Sequence, residues 1–142
     1  MQLIKDYPTY LGWMVFCFSG TKYAFVVKDR AKVIAFLNAH PRQQNLTADE
    51  KLFNKNFDIG IDFNNIVNNY RTGSLPSYSG DSYNDGLESA MAEILQKFDP
   101  GVCLAKTDTN GNLKPFQSVS FEYTIPMSGG KKITAYKAEP CP

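Results

Sequence analysis

Four asparagines, Asn64, Asn65, Asn68 and Asn69, stand at i, i+1, i+4 and i+5 of the stretch FNNIVNNYR. On a helix, residues four apart share a face, so these side chains form one amide-rich surface. Asparagine is a poor helix-interior residue, which makes its repetition here informative. A primary amide both donates and accepts without charge, and a row of them suits a peptide backbone or a sugar. An ordinary solvated face in an asparagine-rich chain accounts for the same pattern. Tyr70 and Tyr78 flank the amides, and tyrosine at a wet boundary commonly serves binding.

Other candidate chemistry is thin. The single histidine, His40, leaves no His pair and few histidine-based metal sites. A Cys17–His40 dyad needs a reactive thiolate, whereas Cys17 sits in an apolar run where burial raises thiol pKa. His40, just before Pro41, reads as a helix-end cation. DSYNDG at 81–86 imitates the start of a calcium loop, but Tyr83 takes the third position and Ala92 the twelfth. Helix capping accounts for Asp81, Ser82 and Asp85, and a hairpin turn accounts for DTNGN at 108–112. Asp58, Asp62, Asp81, Asp85, Glu88 and Glu93 surround the helices without a spacing that singles out an acid–base pair. There is no G-x-S-x-G, Walker-type loop or C-x-x-C, and SGGKK lacks the spacing of a phosphate loop. These readings call for no cofactor and no metal.

The elements that must carry these groups follow from pattern. YLGWMVFCFSGTKYAFVV, residues 10–27, is the most apolar stretch. It is too short and too interrupted to span a membrane, which takes roughly 20 apolar residues. The acid and proline ahead of it do not fit a secretory leader. It reads as two strands joined at Ser19-Gly20. Trp13, Val15 and Cys17 alternate with Met14, Phe16 and Phe18, so both faces are apolar, which predicts a central hairpin. Asp29 caps a helix ended by Pro41, PRQQN is a loop, and Thr47 with Glu50 makes a capping box for a helix over 48–56. Gly60 breaks that helix, Asp62 caps the asparagine helix, and Gly73 fits its C′ position. GSLPSYSGD reads as a mobile loop. A long helix runs from Tyr83 to Phe98, with Gly86 and Ala90 small enough for close packing. The last forty residues read as three strands, in one of which Val119, Phe121, Tyr123 and Ile125 face in while Ser118, Ser120, Glu122 and Thr124 face out.

The order ββ-αααα-βββ predicts a single α+β domain over residues 1–142. An antiparallel sheet of about five strands, the N-terminal hairpin plus a C-terminal meander, carries about four helices on one face. With 142 residues and 43% hydrophobic content, the chain can bury a core without staples. A net charge of +1 argues against nucleic acid as partner. Charged residues make up 20%, with Tyr, Asn, Ser and Thr in their place. That balance is common in extracellular and envelope proteins and also in proteins from AT-rich genomes, so the localisation stays unknown, with secreted or periplasmic slightly favoured over cytoplasmic. Three cysteines leave two readings: a Cys103–Cys141 bridge with Cys17 as a buried thiol, or three reduced thiols.

Two stretches resemble known families. LESAMAEILQKFDPG followed by NGNLKPFQSVSFEYTIP is similar to the end of a TonB C-terminal domain, on Phe98, Pro100, Gly111, Val119, Phe121 and Ile125. The strands that precede these in that family are replaced here by three helices. This likeness implies a protein-binding envelope module. YSGDSYNDGLESAMAEI resembles a phrase of TPM domains, although the surrounding elements differ. The leading expectation is a non-enzymatic interaction module with a protein partner or self-association. Trp13 and its neighbours form one surface, and the asparagines with Tyr78 form a second. The alternatives are a small hydrolase with a carboxylate or thiol centre and a structural subunit of a larger assembly.

Overall fold

The computed structural model describes residues 1, 5–16, 21–49 and 52–142. Along the chain run β1 (Gly12–Phe16), β2 (Lys22–Val27), α1 (Arg30–Ala39), α2 (Arg42–Asn45), α3 (Asp58–Arg71), α4 (Ser82–Phe98), β3 (Val102–Thr107), β4 (Leu113–Thr124) and β5 (Lys132–Pro140). The strands form one antiparallel sheet in the order β1-β2-β3-β4-β5. This is the α+β arrangement the pattern predicts, with the helices inserted between hairpin and meander. Among the described residues no helix is long and apolar enough to cross a membrane.

Short polar side chains set the helix ends. Asp29 accepts from Lys32 N at 3.1 Å and starts α1. Asp81 accepts from Asn84 N at 3.1 Å and starts α4. Each supplies an acceptor for a main-chain N–H that the helix cannot satisfy internally. Gly73, with φ 75°, follows the last turn of α3 in the left-handed conformation that glycine adopts freely.

Helix α4 joins the two halves of the core. Leu95 lies in a buried cluster with Val33, Val102 and Leu104, against which Trp13, Tyr23, Phe25 and Phe116 pack. Ala90 belongs to a second cluster with Ile66, Val67, Tyr70, Leu75 and Ala135, flanked by Phe121, Tyr123 and Ile133. The small residue Gly86 brings α4 close to α3: a Cβ there would lie 3.1 Å from Val67 Cα.

Several expectations are corrected. The hairpin is peripheral, with β1 at the sheet edge. Two-sided apolarity therefore marks an edge with exposed side chains here, not a central strand. Its turn, Ser19-Gly20, and Cys17 lie outside the described residues. The helix over 48–56 is not formed by the residues described there. Leu46 bridges to Phe53 instead, and Leu52 N donates to Thr47 Oγ1 at 3.2 Å. The threonine hydroxyl thus closes a loop rather than capping a helix; Glu50, its expected partner, is also outside. Within PRQQN, Arg42–Asn45 is helical. Gly60 lies inside α3, which begins at Asp58. A Cβ on Gly60 would stand 2.0 Å from the Asn54 carbonyl, so its role is close approach rather than helix breaking.

Ser118, expected to face out, is buried. Its Oγ donates to Glu93 at 2.6 Å, and its main-chain N–H donates to the Gln96 side chain at 3.2 Å. Cys103 and Cys141 are both free. Register explains why no bridge forms: β3 carries Cys103, Cys141 N bonds to Pro115 O, and β4 runs between them. Two strand spacings put their backbones roughly 10 Å or more apart, beyond disulfide reach. The join between the halves is equally non-local. Lys22 N donates to Thr107 Oγ1 at 3.0 Å, across 85 residues of chain.

Candidate functional site

Two of the four asparagines open onto a polar groove. Helix α3 presents Asp62, Asn65 and Asn69, α4 presents Glu93 and Lys97, and β5 presents Thr134 and Tyr136. They surround a cavity of about 400 Å³ whose apolar lining is Ile66, Leu75 and Ala135. The i, i+4 spacing of Asn65 with Asn69, and of Glu93 with Lys97, aims both pairs into the same space. Lys97 Nζ binds Asp62 Oδ2 at 2.6 Å. That hydrogen bond raises the ammonium pKa above its ordinary value. Asp62 is thus an ion-pair partner, not a helix cap. Glu93 is occupied by Ser118 Oγ. The side-chain amides of Asn65 and Asn69 and the hydroxyls of Thr134 and Tyr136 have no hydrogen-bond partner among the described residues.

The remaining amides point elsewhere. Asn64 Nδ2 donates to Gly60 O at 2.7 Å and lines a different groove with Thr47, Leu52 and Phe53. Asn68 is exposed and does not line the polar groove. The amide face is therefore divided. Tyr70 is not a wet-boundary residue: it is 1% exposed, and its hydroxyl donates to Tyr136 O at 2.7 Å. Burial pushes its phenol pKa up.

Tyr78 belongs to a loop that is tightly held rather than mobile. Asp85, one turn into α4 and 1% exposed, accepts from Ser77 Oγ at 2.6 Å, Tyr78 N at 2.8 Å, Ser79 N at 3.0 Å and Ser79 Oγ at 2.5 Å. Burial alone would raise the carboxyl pKa. The hydrogen bonds from Ser77, Ser79 and Tyr78 prevail and hold it below the usual carboxylate range. Tyr78 in turn lies edge-on to the Tyr70 ring, with centroids 5.9 Å apart, and its hydroxyl meets Ser89 Oγ at 3.2 Å. Burial raises the Tyr78 phenol as well.

Trp13 stacks on Phe25, with ring centroids 4.6 Å apart, against the helix-side core. It is half-buried, and its neighbours carry the exposed surface: Leu11, Met14 at 46% and Val15 at 43%. Leu11 O accepts from Val27 N at 2.8 Å. Register then makes Trp13 and Val15 the hydrogen-bonded partners of β2. The main-chain groups of Gly12, Met14 and Phe16 point away from it, and no strand among the described residues takes them.

The sequence reading missed a buried ionic cluster. Glu88 accepts from the Tyr23 hydroxyl and from Lys106 Nζ. The ammonium also sits 5.8 Å from the Tyr23 ring centroid and 5.9 Å from that of Phe116. Its one sequence signal is a lysine inside the apolar strand VCLAKT. Of the pairings a hydrolase centre would draw on, the apolar cavity beside α1 holds only His40 and the polar groove only Asp62, and neither brings in Asp81 or Asp85. Among the same residues, no group of three or more His, Cys, Asp or Glu is placed to hold a metal. Comparison with protein-family models, curated proteins and solved structures finds no match to this chain.

Proposed function

We propose that the chain is a protein-interaction module that takes up an extended segment of a partner protein along β1. The observation that carries this reading is that no strand among the described residues pairs with the outer edge of β1. GWMVF contains neither charge nor proline, and Leu11, Met14 and Val15 are exposed beside it. An edge strand offers unpaired N–H and C=O groups as a template for another strand, and proteins usually blunt such edges with charge, proline or cover. Main-chain bonds to Gly12, Met14 and Phe16 would supply affinity, and alternate side chains would supply selectivity. Trp13, braced on Phe25, keeps the strand flat against the core while its edge is engaged.

A library of random decapeptides, selected on the immobilised chain, tests the reading. Enriched peptides should be extended and rich in β-branched residues, and they should lose binding to Met14→Pro. That substitution deletes an outward N–H and leaves the ladder to β2 intact. Enrichment of no peptide, or equal binding by the proline variant, would refute it. A concentration-dependent dimer that Met14→Pro dissociates would identify the partner as a second copy.

A further inference from the structure

We infer that the groove between α3, α4 and β5 binds a neutral saccharide unit. Four residues with uncharged polar groups that have no hydrogen-bond partner among the described residues line it: Asn65 and Asn69 with their amides, Thr134 and Tyr136 with their hydroxyls. Together they offer several donors and several acceptors, the complement a ring of hydroxyls requires. The volume of about 400 Å³ falls in the range of small-molecule sites. Ile66, Leu75 and Ala135 floor the groove but are themselves buried, so the amphipathic wall for the C–H face of a sugar ring is the half-buried Tyr136 ring.

The charges in the groove narrow the choice. Lys97 is held by Asp62 and Glu93 by Ser118. An anionic ligand would meet two carboxylates and one already paired ammonium. A peptide backbone is disfavoured for a separate reason. It would add to the outer edge of β5, but the Tyr136 carbonyl there already accepts from Tyr70. A neutral polyhydroxyl ligand satisfies the open groups without displacing either pair. The groove uses no residue of β1, so this inference and the proposed pairing at that edge stand or fall separately.

The side-chain NH₂ resonances of Asn65 and Asn69 in the ¹⁵N-labelled chain report occupancy directly. The probes are glucose, galactose, mannose, N-acetylglucosamine, maltose and cellobiose, taken well beyond the millimolar range. At least one should shift both amides saturably. Its affinity, followed in the variants by the main-chain N–H resonances of Ala135 and Tyr136, should fall tenfold or more in Asn65→Ala combined with Asn69→Ala, and by less in Thr134→Val alone. Asn65 and Thr134 are exposed, so Asn65→Ala and Thr134→Val keep the test valid if the double variant unfolds. The inference fails if no sugar moves the amides, or if an observed shift elsewhere in the spectrum survives these substitutions. It also fails if tri-alanine or inorganic phosphate moves them while every sugar leaves them still.

Discussion

The two edges of the sheet are built on opposite terms. β5 carries Lys132, Lys137, Glu139 and Pro140. Its outward Tyr136 carbonyl is taken by Tyr70, Tyr70 is braced by Tyr78, and the Tyr78 loop is tied to Asp85. β1 has no charge, no proline and no such chain of support among the described residues. One edge is closed by a relay that begins at Asp85 on α4 and passes through the Tyr78–Tyr70 ring contact to the Tyr136 carbonyl, and no strand among the described residues covers the other. The difference locates where this protein can accept another strand and where it resists one.

The largest way to break the contrast is Asp85→Ala. Two loop N–H groups and two serine hydroxyls would lose their acceptor, at a cost of about 3 kcal/mol in urea unfolding. Hydrogen exchange should then rise across residues 74–81 and along β5. Tyr70→Phe acts at the far end of the same relay. It leaves the Tyr136 carbonyl without its donor, and about 1–2 kcal/mol should be lost.

Acid provides a reversible version. The folded pKa of Asp85 lies below its unfolded value, near 3.9 for an ordinary aspartate. Its contribution is therefore complete above that value and is lost as pH falls through the folded pKa. The melting temperature of the native chain should drop more steeply below about pH 4 than that of Asp85→Asn. The smallest effect on stability belongs to Met14→Lys at the open edge, within about 0.5 kcal/mol. That same change should abolish peptide pairing at β1, the sharpest functional contrast with the closed edge.

Much of the fold was legible because local signals agree. Asp29 and Asp81 cap the helices expected of them, Gly73 terminates α3, and Gly86 permits the α3–α4 contact. The failures trace to long-range partners. Both apolar faces of the hairpin are consistent with a central or an exposed strand, and only β3, far along the chain, decides its position. Thr47 found Leu52 as partner, and Gly60 was required by the passing Asn54 carbonyl. Of the amide site, the i, i+4 pair Asn65 and Asn69 could be read directly. Glu93, Lys97, Thr134 and Tyr136 could not, because the groove exists only once α4 and β5 are packed beside α3. Asp85 was overlooked because a capping role accounted for an acid at a helix start.

The pairing of β2 with β3 also sets a timetable for synthesis. Lys22 and the Thr107 that it meets are 85 residues apart. At roughly 5–20 residues per second of translation, the N-terminal hairpin waits about 4–17 s for its neighbour to be made. For that interval the most apolar segment of the chain has an unpaired strand on both sides. A nascent-chain binding factor that holds extended apolar segments would meet its clearest target here, before the ribosome has finished.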